Sequence, residues 1–269
     1  MNNNNELFLT IQLHLYHRIP LKGIDLNHLE EIFQKGDIKF FYTMPRFHNP
    51  LGSSYSKEQK KAVLKLAKKY DVYIVEDDYL ADFEYDLKND PLYAEDIHER
   101  VIYLKSFSKI MFPGLRIGIA VLPPKLIHPF QLFKTVTNID GSMISQAALT
   151  LYLKSGMFTH YKKKVSNAYQ TLAKILQESI QNYLSDYDHS SEVVMHTHIL
   201  LPKQVNIKLL IKNLYQQHIY LDSTDRNYLE GFYNERILKL NVSKVDESQI
   251  DKGIKKIADS LKNPKNTFL

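Results

Sequence analysis

The stretch Ser106-Phe107-Ser108-Lys109-Ile110-Met111-Phe112-Pro113-Gly114-Leu115-Arg116-Ile117-Gly118 carries the residues best suited to covalent chemistry. A lysine forms a Schiff base with an aldehyde only if its amine loses a proton near neutral pH. Burial and neighbouring cations favour that loss, because both disfavour the ammonium form. Ser106 and Ser108 beside Lys109, with Arg116 seven positions on, add hydroxyl donors and a guanidinium fork. Those are the groups that grip a phosphate. A second element is Asp77, in the acidic cluster Glu76-Asp77-Asp78. A pyridinium ring is an electron sink only while its nitrogen stays protonated, and a carboxylate held against that nitrogen keeps the proton there. Glu76 and Asp78 compete with Asp77 for this role, because the register is inferred. Tyr79 and Asn49 are the right types to donate hydrogen bonds to a phenolate oxygen on the same ring.

These residues follow a regular succession of elements. Ile38 to Thr43 is a short apolar, aromatic run that predicts a buried strand. Pro45, Asn49, Pro50 and Gly52 break the chain into a loop. Ser56 and Gln59 have capping-box spacing, and residues 57 to 70 read as an amphipathic helix. Strands are expected from Asp71 to Val75, Val101 to Leu104 and Ile117 to Leu122. Strand, helix, strand with short connections predicts an α/β fold with a mainly parallel sheet. Asn49, Asp77 and Ser106 to Lys109 all fall just after strands, where ligands bind in such sheets. Residues 130 to 186 read as helical, with a break at Gly156. A strand (193 to 201), a helix (205 to 217), a strand (237 to 242) and a last helix (246 to 262) predict a small α+β unit. The expected division is 1–20 unassigned, 21–154 a partial large domain and 155–269 the small domain.

Composition narrows the function further. The chain has 269 residues, 44% of them hydrophobic, enough for one large or two smaller cores. There is no cysteine, which removes disulfide and thiol chemistry and fits a cytoplasmic setting. No run of about 18 apolar residues is present, and the asparagine-rich start lacks the pattern of a secretory signal. The net charge of +5 is spread along the chain. Blocks such as Lys162-Lys163-Lys164 read as solvated helix faces, and no nucleic-acid-binding signature is found. His48, His196 and His198 match no metal-ligand spacing, so no metal is expected.

The stretches HNPLG (48 to 52), VEDDYLADFEYD (75 to 86) and SFSKIMFPGLRIG (106 to 118) resemble the fold-type I, class I/II aminotransferases. Within them the likeness is to the MocR/GabR-type regulators, and it extends to SQAALTLYLKSGMFTHYKKKV (145 to 165) and LKLNVSKVDESQIDKGIKKIADSL (238 to 261). The resemblance implies pyridoxal phosphate as cofactor. It implies that Lys109 forms the Schiff base, that Asp77 pairs with the pyridine nitrogen, and that Tyr79 and Asn49 hold the phenolate. Ser106, Ser108 and Arg116 would grip the phosphate. The implied ligands are an amino acid, an amine or an oxo acid, and the implied assembly is a homodimer.

Two departures qualify that likeness. The family's substrate-carboxylate arginine aligns with Lys239, a point charge in place of a bidentate fork. Arg236 is three positions away and would point elsewhere on a strand. The glycine-rich turn and stacking aromatic of the family's large domain, and the regulators' winged helix, are not found, so a truncated large domain is expected. The sequence thus supports amino-group transfer or amine sensing in a regulator context. The alternative is a non-catalytic remnant or dimerisation domain that has lost its cofactor.

Overall fold

In the computed structural model, residues 23–83, 89–111, 113–137, 141–190, 194–221, 224 and 236–263 are described. The segment 1–20, residues 84–86 of the acidic motif, Phe112 and Val193 lie outside the described residues.

Asp25 starts helix α1 (Leu26–Gln34) by accepting from the Asn27 and His28 backbone N–H groups. Strand β1 (Phe40–Thr43) follows. The expected capping box forms: Ser56 accepts from the Gln59 N–H, and Gln59 accepts from that of Ser56. It opens helix α2 (Lys57–Lys69). Strand β2 (Tyr73–Asp77), a 3-10 turn (Ala81–Phe83), the short helix α3 (Leu92–Glu95) and strand β3 (Val101–Ser106) come next. A second 3-10 turn (Pro113–Leu115) leads into strand β4 (Gly118–Val121).

The sheet order is β1-β2-β3-β4. β1, β2 and β3 are parallel, and β4 runs antiparallel to β3. The reason is the connection: α2 carries the chain back across the sheet between β1 and β2, whereas the described residues of 107–117 contain no crossover helix and return the chain directly. Phe41 and Ile74 on one face pack with Leu29 and Phe33 of α1 and Val63 and Ala67 of α2. On the other face Phe40 stacks on Tyr73, and both Phe40 and Tyr42 are exposed.

Helices α4 (Pro124–Thr137), α5 (Met143–Lys154) and α6 (Met157–Tyr183) follow. α4 begins earlier than the periodicity suggests, with Pro124 at a helix start, where its missing N–H costs nothing. Gly156 breaks the helical run as expected, in the left-handed conformation with φ 74°. Strand β5 (His196–Leu200), helix α7 (Ile207–Gln216), strand β6 (Ile237–Asn241) and helix α8 (Glu247–Leu261) are the last elements among the described residues. β5 and β6 form a separate antiparallel pair, with His198 opposite Lys239.

Behind that pair Leu176 and Ile180 of α6, Leu210 of α7 and Ile254 of α8 close a core with Ile199 and Leu238. The first half of α6 packs elsewhere: Phe158, Val165 and Tyr169 join the cluster of Phe107, Ile110 and Leu149. α6 has 27 residues, so it spans about 40 Å and ties the two sheets into one frame. Lys162 is part of that tie. It is not simply a solvated lysine, for with Lys105 it pairs with the buried Asp82. Among the described residues no helix is long and apolar enough to cross a membrane.

Candidate functional site

The loop after β3 is anchored by its apolar residues. Phe107, Ile110, Met111 and Leu115 are buried, and the Met111 N–H closes a turn onto the Phe107 carbonyl. Those anchors leave Ser108 half-buried and Lys109 exposed. Lys105, the other lysine nearby, is tied to Asp82 at 2.8 Å, whereas Lys109 has no ion-pair partner among the described residues. The Ser108 N–H donates to the Ser106 hydroxyl at 3.2 Å, which draws the two serines together. Ser106 lies opposite Gly118 in the β3–β4 pairing, and the Phe107 N–H bonds the Ile117 carbonyl. Arg116, next in the chain to Ile117, therefore enters β4 beside the serines. It is exposed and left-handed, with φ 51°, an uncommon conformation for a residue with a side chain.

The three adjacent acids separate cleanly. Glu76 is fully buried and accepts from the Leu92 and Tyr93 N–H groups at the start of α3. Burial raises its carboxyl to about 7, against the two backbone bonds that lower it. Asp78 is buried on the same side and pairs with Arg46, with the Tyr103 hydroxyl also donating to it. Asp77, between them, is half-exposed on the open face, where the Tyr42 hydroxyl donates to its Oδ2 at 2.5 Å. The alternation of β2 thus gives Glu76 and Asp78 buried structural partners and leaves Asp77 on the open face with Tyr42.

Asn49 lies in the loop between β1 and α2, where its peptide bond to Pro50 is cis. The loop is braced by the His48 N–H to the Ser53 carbonyl and by Thr43 with Tyr55. It is also fastened to the small sheet. His198 Nδ1 donates to the Leu51 carbonyl at 2.5 Å, and His196 Nε2 lies 3.3 Å from the His48 carbonyl. Gly52 is required for this approach: a Cβ there would lie 2.8 Å from the His196 carbonyl, and its φ is 73°. Lys239 Nζ then reaches across and donates to Asn49 Oδ1 at 2.8 Å. Arg236 instead donates to the Leu201 carbonyl, away from the loop.

Tyr79 is largely buried beside this loop and its hydroxyl donates to the Phe47 carbonyl at 2.9 Å. Burial and the Asp77 charge raise its phenol well above the usual tyrosine range, so it remains a proton donor. Burial lowers His196 to about 4, and Lys239 and Lys109 push it the same way. Tyr79, Asn49, Lys239 and His196 meet at the 47–51 loop; Asp77 and Tyr42 act on Tyr79, and Lys109 on His196, electrostatically. Ser106, Ser108 and Arg116 form a neighbouring group at the turn out of β3. Sequence reasoning missed Tyr42 and His196. Tyr42 is detectable only from the β1–β2 register, and His196 only from how the two sheets meet.

The comparisons with known proteins place the whole chain. The model of the aminotransferase class I and II family matches residues 10–257. The chain belongs to that family. An uncharacterized HTH-type transcriptional regulator of Bacillus subtilis, YcxD, is 46% identical over 246 residues, which cover 89% of this chain and 55% of the regulator. Aromatic-amino-acid aminotransferase 1 of Thermococcus litoralis is 29% identical over 91% of this chain and 61% of that enzyme. The crystal structure of Pyrococcus horikoshii kynurenine aminotransferase superposes with a TM-score of 0.82 and 26% identity, over 91% of this chain and 62% of that one. This is accordingly an aminotransferase-like domain, homologous both to MocR-type regulators and to aminotransferases, and it spans little more than half the length of these relatives. Family membership implies pyridoxal phosphate, and the residues present fit it: a lysine on a projecting turn, a carboxylate on an open sheet face, a phenol and an amide beside it, and hydroxyls with a guanidinium.

Proposed function

We propose that this domain binds pyridoxal phosphate through Lys109 and uses the same site to recognise an amino acid, an amine or an oxo acid, as the ligand-responsive part of a MocR/GabR-type regulator. The observation that carries this reading is the sorting of the three acids at the end of β2. Only Asp77 faces the side on which Tyr79, Asn49 and Lys239 converge.

When bound, the cofactor would supply an aldehyde for a lysine amine and an electron sink for bonds at a substrate α-carbon. Lys109 provides the amine and moves a proton to and from that carbon. Asp77, fixed by Tyr42, holds the proton on the ring nitrogen. The Tyr79 hydroxyl and the Asn49 amide donate to the ring oxygen. Lys239, by occupying Asn49 Oδ1, leaves the amide N–H groups for that task. Ser106, Ser108 and Arg116 bind the phosphate. Lys239 offers the carboxylate of an amino or oxo acid a single point charge in place of a guanidinium fork.

Slow turnover or none, with cofactor and ligand changing the conformation, is the regulator reading, and the YcxD relative supports it. Turnover is favoured instead by the likeness to the Thermococcus aminotransferase. We assign the chain to the cytoplasm and to a homodimer on the same family grounds, with no nucleic acid bound by these residues themselves. The test is spectroscopic. Pyridoxal phosphate added to the purified protein gives a visible absorption band, and Lys109→Ala abolishes it. No band in the parent protein overturns the proposal. Oxo-acid release on adding amino acids one at a time selects turnover over sensing.

A further inference from the structure

One side chain at the centre of the site has no role in the reading above. His196 opens β5, is 4% exposed, and sends its imidazole toward the 47–48 backbone and Tyr79. Its tautomer follows from its partner. The His48 oxygen is a carbonyl and only accepts, so the Nε2 that faces it at 3.3 Å carries the hydrogen. The same N–H lies 3.5 Å from the Tyr79 oxygen. Tyr79 has one hydroxyl proton, and the Phe47 carbonyl receives it at 2.9 Å. The Tyr79 oxygen is thus set between an acceptor in the loop and a donor from the small sheet.

We propose that His196 is a positioning residue for Tyr79: its Nε2–H donates to the phenol oxygen and aims the hydroxyl proton at the ring oxygen of the cofactor. This rests on the cofactor reading given above. To serve that ring oxygen, Tyr79 must turn its proton away from the Phe47 carbonyl. His196 makes the turn inexpensive, because its Nε2–H keeps the Tyr79 oxygen supplied with a donor. A phenol that accepts one hydrogen bond is polarised and donates the next more strongly.

The surroundings favour a neutral donor. Burial, Lys239 and Lys109 hold His196 uncharged through the neutral range, with the Phe47 and His48 carbonyls as opposing influences. Tyr79 in turn feels Asp77 and Tyr42. Gly52 and the His198–Leu51 contact fix the distance between β5 and the loop, so the imidazole has little freedom to retreat.

The test reads the ring oxygen directly. With pyridoxal phosphate bound at Lys109, the visible band titrates with a midpoint that depends on how well the ring oxygen is stabilised. A weaker donor leaves more negative charge on that oxygen, which holds the neighbouring proton more tightly and raises the midpoint. His196→Phe is expected to raise it by about 0.5 to 1 pH unit. His196→Gln, whose amide N–H reaches the same place, restores most of the parent value. In a Tyr79→Phe background, His196→Phe has no further effect. A parent-like midpoint in His196→Phe overturns the proposal, as does an equal shift with and without Tyr79. In the parent protein, 15N NMR of labelled histidine is expected to show a neutral, Nε2-protonated His196 between about pH 5.5 and 8; an Nδ1-protonated ring overturns the proposal without any variant. A parent protein with no band defeats the cofactor reading and this inference together, whereas a band that His196 does not move defeats only this one.

Discussion

Glu76→Gln removes one of two buried groups whose protonation pulls stability in opposite directions. Glu76 is shut into the end of β2 against the start of α3, and burial raises its carboxyl from 4.5 to about 7. The folded state therefore holds that proton more tightly than the unfolded chain does. The stabilisation is fully present below about pH 4.5 and is lost as the pH rises through 7. His196 does the reverse. Burial lowers it from 6.5 to about 4, so its contribution is present above about pH 6.5 and is lost as the pH falls through 4. Each term has a slope of at most about 1.4 kcal/mol per pH unit. Between pH 4.5 and 6.5 the two slopes oppose, which flattens the stability curve there. Glu76→Gln removes the falling term. Its stability relative to the parent protein should gain up to about 3 kcal/mol from the acid end of this window to pH 7, on top of any constant loss from its changed hydrogen bonds with Leu92 and Tyr93. Urea denaturation in half-unit steps from about pH 4.5 to 7.5 measures the difference. A difference between variant and parent that does not change with pH would refute the argument.

Other substitutions report on the frame and on ligand binding. Gly52→Ala puts a Cβ within 2.8 Å of the His196 carbonyl on a residue at φ 73°, so it should cost about 2 kcal/mol or more and weaken cofactor binding; wild-type melting and binding would contradict the close approach of loop and strand. Arg46→Met leaves Asp78, 1% exposed, without its cation and should cost about 3 to 5 kcal/mol in denaturant titrations. A loss below about 1 kcal/mol would mean that Tyr103 alone satisfies that carboxylate. Lys239→Met should weaken carboxylate-bearing ligands by about tenfold or more while changing amines without a carboxylate much less. Equal losses for both would assign Lys239 to Asn49 alone.

Much of this was legible in the residues. The period-3.6 pattern and the Ser56–Gln59 signal mark α2 to within a residue at its end, because local capping sets that helix. Hydrophobic runs locate the six strands found among the described residues, and Gly156 marks the α5–α6 break because its left-handed φ suits glycine. The antiparallel turn of β4 was not legible, since strand direction depends on what the connection does in space. Nor was the choice among Glu76, Asp77 and Asp78, which needs the sheet's two faces and the positions of Arg46 and α3. The histidines were passed over because their spacing fits no metal. Their partners are backbone carbonyls of a loop almost 150 residues earlier, and backbone acceptors leave no trace in sequence.

The central claim is that Lys109 is the lysine that takes the cofactor. Borohydride reduction of the protein with pyridoxal phosphate, followed by digestion and mass spectrometry, tests it most directly. One modified peptide is expected, carrying the reduced cofactor on Lys109, and none on Lys105 or Lys239. No modified peptide, or labelling spread over the surface lysines with Lys109 untouched, would contradict it.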